Sequence, residues 1–194
     1  MNLWLNIECA PWHIAAEQYL PALRLQSANG LEELDHWYQT QLPEVLAARS
    51  PPYLARDELV RVTTWKMRRG VWRARNRALV AANDLALVEQ ISTDAFAAIP
   101  DPRRPVAILS RLDGVGPATA SAVLAALRPD QYPFFDEVVA RQIPDLGEVA
   151  FTLAYYLGYA ECLRERATQL DAVCPHQPWT AQDLSQALWA AVVL

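Results

Sequence analysis

The chain has 194 residues, of which 53% are hydrophobic and 20% charged, with a formal net charge of −5. That supplies one substantial core and argues against a disordered chain. No apolar run reaches the ~20 residues of a membrane span, and the stretch from Met1 to Ala10 carries Asn2, Asn6 and Glu8 but no basic residue, so neither a membrane protein nor a secreted one is expected.

The chain holds only 6 glycines, and Val/Ile/Thr alternation is nearly absent. Alanine, leucine, arginine and glutamate fill the periodic segments, which predicts an all-α protein. In chain order, a first helix is expected from Pro11 to Leu25, kinked or split at Pro21. Asn29-Gly30 marks a turn. A second helical region spans Leu31 to Ala48, broken or bent at Pro43, and Ser50-Pro51-Pro52 marks a loop. Asp57 or a neighbour can cap a helix from Glu58 to Arg69 that stops at Gly70. Helices from Arg73 to Ala82 and Leu85 to Ile99 are divided at Asn83-Asp84. After Pro100-Asp101-Pro102 come two short helices, Pro105 to Leu112 and Pro117 to Leu127. A brief helix from Phe135 to Ile143 is closed by Pro144. A long one runs from Ala150 to Val173, and Thr180 caps the last, to Val193. The whole reads as one unit, 1–194. Its N-terminal helices, 11–48, and C-terminal helices, 150–193, are expected to form a second lobe across a cleft from the rest.

Cys9, Cys162 and Cys174 are too scattered for a disulfide framework. Cys174-Pro175-His176 hints at a metal corner but lacks a second close pair. Free, buried cysteines are the expectation.

Arg61, Lys66, Arg68, Arg69, Arg73, Arg75 and Arg77 supply seven of the 17 basic residues, with no acidic residue between them. A locally basic face on an acidic body can bind nucleic acid. Within it, Trp65 and Trp72 interleave with Lys66, Arg68, Arg69 and Arg73, a pattern suited to phosphate contact plus base stacking.

The densest signal is Leu112-Asp113-Gly114-Val115-Gly116-Pro117-Ala118-Thr119-Ala120. Two glycines two apart permit a tight turn and leave N–H groups bare. Pro117 suits the first turn of a helix, whose N-terminus is an anion site. This stretch resembles the hairpin of the helix-hairpin-helix superfamily of DNA glycosylases. In that family a second element follows as V-D-x-x-V-x-R, and Phe135-Asp136-Glu137-Val138-Val139-Ala140-Arg141 falls in its place. With the strip from Trp65 to Arg73, the likeness covers most of Leu59 to Arg141.

The resemblance implies a glycosylase-like fold and a set of roles. Asp136 would be the catalytic carboxylate, with Glu137 its local competitor. Backbone N–H groups around Gly114, Gly116 and Ala118 would grip a phosphate of double-stranded DNA, and Val115, Thr119, Lys66, Arg68, Arg69 and Arg73 would also contact the DNA. Backbone carbonyls of Ser110, Leu112 and Val115 would hold a structural Na+ or K+. Asp113 departs from the proline common at its position. Bifunctional members carry a lysine where this chain has Ala118, so a monofunctional enzyme that uses water is implied, with no cofactor for the chemistry. Lys66 is the sole lysine in the chain. The cysteines cannot supply the iron–sulfur loop that some members carry. Trp37, Tyr38, Phe134, Phe135, Tyr155, Tyr156 and Tyr159 are candidates to line a pocket for a flipped base. Size and hairpin are also similar to those of small antiphage glycosylases that act on glucosylated hydroxymethylcytosine in phage DNA. The alternative is a non-enzymatic helix-hairpin-helix module that binds DNA or a repair partner. A cytoplasmic monomer is expected in either case.

Overall fold

Every periodic segment became a helix in the computed structural model, which describes residues 2–26, 30–174 and 178–194. Asn29 and His176, part of the turn and the metal-corner expectations, lie outside the described residues. The described residues contain no strand, and none of their helices is long and apolar enough to cross a membrane.

The first predicted helix is two: α1 (Cys9–Glu17) and α2 (Tyr19–Gln26). Pro21 sits in the first turn of α2, where its missing N–H costs nothing. The region from Leu31 to Ala48 divides into α3 (Leu31–His36), a π-helical turn (Trp37–Gln41) and α4 (Leu42–Ala47). Pro43 lacks an N–H and would clash with a carbonyl one turn back. The chain widens ahead of it, and the Leu42 N–H reaches five residues back to the Trp37 carbonyl.

Helix α5 (Arg56–Arg69) starts earlier than expected and is not capped by Asp57. Glu58 instead accepts the Ala55 N–H at 2.8 Å and holds Arg49 in a two-pronged ion pair. There follow α6 (Ala74–Ala82), α7 (Leu85–Ala97), α8 (Arg104–Leu109) and α9 (Pro117–Ala125). The short α10 (Glu137–Ala140) covers less than predicted because the chain before it is extended. The long α11 (Leu153–Val173) precedes α12 (Ala181–Val193), where Thr180 and Asp183 form a reciprocal N-terminal cap.

Helix α9 is the centre. Every residue from Ala118 to Ala125 is buried, so it has no polar face and must be surrounded. Helices α5, α8 and α11 pack around it. Helix α12 packs on α1, α2, α10 and α11, which joins the two ends of the chain. That packing brings Cys9 and Cys174, 165 residues apart, into a disulfide with Cα atoms 5.5 Å apart. The expectation of unpaired cysteines is corrected here. Sequence spacing carries no trace of a contact made by helix docking. Cys162 remains free and half-buried.

Candidate functional site

Asp136 stands at the end of an extended strip that three helices hold in place. The Phe135 N–H donates to Ser121 Oγ on α9 at 2.9 Å, and the Phe134 N–H to Gln182 Oε1 on α12 at 2.8 Å. The Tyr159 hydroxyl on α11 donates to the Phe134 carbonyl at 2.8 Å. Asp136 then caps α10, its Oδ1 accepting the Val138 N–H at 2.9 Å. Its Oδ2 accepts from Arg69 Nη2 at 3.3 Å.

Asp136 is only 6% exposed, and it lines a cavity of about 350 Å³. Ala118, in the first turn of α9, lies on the same wall, as do Phe134, Phe135 and Phe151. Lys66, Arg73, Arg141 and Glu137 supply polar groups around the cavity. The cavity therefore joins the carboxylate, the start of α9 and part of the basic strip.

Arg69 does not belong to a DNA-facing surface, and that expectation is corrected. It is 5% exposed, and its guanidinium lies among Trp189, Trp65, Tyr19 and Phe134, 4.4–5.5 Å from the ring centres. It donates to the Tyr19 hydroxyl at 2.7 Å, which donates on to Asp35, and Asp35 also accepts from the Trp65 indole. Burial alone would weaken the guanidinium as a base, but Tyr19, Asp136 and Asp35 together push its pKa up. The reason is helical register: Arg68 and Arg69 are adjacent, so they point about 100° apart, one to solvent and one to the core.

Lys66 reaches the cavity. Burial, with the charge of Arg73, pulls its pKa down, and Asp136 partly offsets this. Arg73 and Arg68 are exposed as predicted. Trp72, 52% exposed, shares a second cavity, of about 460 Å³, with Arg68. Trp65 is fully buried and stacks on Tyr38, so it is unavailable to a base.

The turn before α9 is fastened to α6. Asn76 Nδ2 donates to the Gly114 carbonyl at 2.7 Å. Asn83 bonds Asp113 twice, donating to its carbonyl and accepting its N–H. Gly114 has φ +76°. Pro117 begins α9 as expected, and among the described residues the Gly114, Gly116 and Ala118 N–H groups have no intramolecular acceptor. The amides of Val115 and Thr119 are already engaged within the turn. The Val115 N–H bonds the Leu112 carbonyl and the Thr119 N–H bonds Gly116, and the Thr119 side chain is buried. No described group donates to the Ser110 or Val115 carbonyl, while Leu112 accepts that one bond.

Of the aromatic candidates, Phe134 and Phe135 line the cavity, whereas Trp37, Tyr38, Tyr155, Tyr156 and Tyr159 do not. Arg61 covers Trp37, and Tyr38 donates to the Ala122 carbonyl inside the core. Tyr156 and Tyr159 are fully buried. Tyr155 stacks on Phe135, its ring centre 5.6 Å away. Sequence reading gave no role to Phe151, Ser121, Gln182 and Asn76, and took Arg141 only as the last residue of the V-D-x-x-V-x-R likeness and Asn83 only as a helix boundary. Of the first four, only Ser121 had a signal, a hydroxyl inside an otherwise apolar run. No family model, curated protein or solved structure matches this chain.

Proposed function

We propose that the chain is a monofunctional DNA glycosylase of helix-hairpin-helix type that removes a modified base from double-stranded DNA. The observation that carries the reading is the shared cavity: one buried carboxylate, Asp136, and Ala118, in the unsatisfied N-terminal turn of α9, line the same space. Its volume of about 350 Å³ falls in the range of ligand sites.

Phosphate binds the Gly114, Gly116 and Ala118 amides, assisted by the positive end of α9. Carbonyls of Ser110 and Val115 would hold a monovalent cation that supports the turn. The flipped base lies against Phe134 and Phe135. As the C1′–N bond lengthens, positive charge grows on the sugar, and the Asp136 carboxylate stabilises it at close range. A water held by the same carboxylate adds its oxygen to C1′, its proton passes to Asp136, and the electron pair of the broken bond leaves with the base. The product is an abasic site. Lys66, Arg73 and Arg141 can bond a hydroxylated substituent, which favours glucosylated hydroxymethylcytosine of phage DNA as the first substrate to assay.

The test is Asp136→Asn, with base release measured by mass spectrometry on a panel of modified DNAs that includes glucosylated phage DNA. Release is expected to fall by about 10²–10⁴-fold, while DNA binding stays within a few-fold and circular dichroism stays native. Release at the wild-type rate removes the catalytic assignment. A wild type that binds DNA but releases nothing leaves a binding module. Lys66 favours a second reading, in which its amine displaces the base and the strand is also cut. Borohydride trapping of the wild type on abasic DNA separates the two: no covalent complex is expected, and one abolished by Lys66→Ala would replace water with Lys66.

A further inference from the structure

Away from the cavity, α1 and the end of α11 bring together a second group of reactive side chains. Cys9 and His13 stand on successive turns of α1, four residues apart and on one face. Cys174 ends α11, its N–H fixed to the Leu170 carbonyl at 2.7 Å. The two sulfur atoms and an imidazole nitrogen all lie within 4.8 Å of one another. Trp179 braces the imidazole, its ring centre 4.9 Å away, and Asp171 in turn fixes the Trp179 N–H at 2.7 Å.

The whole chain holds 3 cysteines and 3 histidines. Three of those six residues meet at this one point, drawn from segments 165 residues apart. Two thiolates and an imidazole are the soft, mixed donor set that selects zinc over calcium or magnesium. Zinc bonds of about 2.3 Å to sulfur and 2.1 Å to nitrogen put tetrahedral ligand atoms roughly 3.5–4 Å apart, so the two sulfur atoms, bonded to each other here, must separate on reduction before an ion can bind. A cavity of about 260 Å³, bordered by Glu17 and Asp183, lies on the imidazole side of the cluster, against His13.

We propose that Cys9, His13 and Cys174 form a zinc site that alternates with the Cys9–Cys174 disulfide. A dithiol reductant supplies two electrons and two protons, is itself oxidised to a disulfide, and leaves two thiols. Zinc displaces those two protons and binds both thiolates and the neutral imidazole, with water in the fourth position. Oxidation by a disulfide reverses the exchange and releases the ion. In either state the cluster staples the N-terminal helix to the end of α11. The site is independent of the glycosylase reading, since it shares no residue with the Asp136 cavity.

The full-length protein is purified in the presence of a dithiol, dialysed against zinc and then against buffer, and its metal content measured. About one zinc per chain is expected, falling below about a tenth in Cys9→Ser, Cys174→Ser and His13→Ala, and unchanged in Cys162→Ser. Thiol titration of the chelated, denatured protein should find all three cysteines reduced in the zinc form and only Cys162 in the oxidised form. Cobalt replaces zinc in the wild type as a measurement that needs no variant: an intense thiolate-to-cobalt band and visible tetrahedral bands are expected. Reduced wild type that retains less than about a tenth of an equivalent of zinc overturns the proposal. So does cobalt bound without the thiolate band, or zinc retained in full by Cys9→Ser.

Discussion

A Cβ added at Gly114 would lie 2.8 Å from the Asn76 carbonyl and 2.9 Å from Val80, on a backbone with φ +76°. A Cβ at Gly116 would meet nothing within 4 Å. The two glycines that look equivalent as a motif therefore do different work. Gly114 lets the turn press onto α6, and Gly116 leaves open space above the first amides of α9. Gly114→Ala is expected to cost about 2–4 kcal/mol in chemical denaturation, from left-handed strain plus the clash. Gly116→Ala should cost under about 1 kcal/mol yet weaken DNA binding several-fold, because its methyl sits where the phosphate would approach. Wild-type DNA affinity in Gly116→Ala would remove the phosphate role from this turn.

The strip formed by α5 and the start of α6 looks uniformly basic in sequence, but helical register sorts its charges. Arg73 is exposed at the cavity, and Arg69 is locked beneath Asp136. Arg73→Ala should change stability by less than about 0.5 kcal/mol and lower the salt dependence of DNA binding by about one counterion. Arg69→Ala should instead destabilise by about 3–5 kcal/mol, since it strands the carboxylates of Asp136 and Asp35 in the core. Thermal melts and binding titrations at several salt concentrations measure both. Equal effects from the two variants would contradict the register described here. Other elements aim Asp136: α9, α11 and α12 each contribute one polar side chain to the extended strip before it.

In the whole molecule, Tyr38, Tyr132, Tyr156 and Tyr159 are buried in the interior. Tyr19, Tyr38, Tyr132, Tyr156 and Tyr159 are all pushed above their ordinary value, by burial first, and Tyr132 rises to about 12. Each is raised because the fold favours the neutral form. The stability they supply is intact below the unfolded value of about 10 and is lost as pH rises through the folded value of about 12 for Tyr132. Unfolding between about pH 10 and 12 is therefore expected, with phenolate absorbance and loss of helical circular dichroism moving together. Tyrosines that ionise early, with helix content intact, would show that these rings are not buried together.

The order of the helices, the turn through Gly114 and Gly116, the start of α9 at Pro117 and the cap at Thr180 were legible in the sequence, as was the place of Asp136 after an apolar helix. These follow from local rules: 3.6-residue periodicity, proline and glycine punctuation, and side chains that bond their own backbone. Periodicity alone could not tell Arg68 from Arg69, put Lys66 beside Asp136, or pair Asn76 and Asn83 with the turn. Nor could it foresee that Cys9, His13 and Cys174 converge. All of these depend on which face each helix turns to its neighbours, and tertiary packing decides that, because burial energy is gained only between faces that meet.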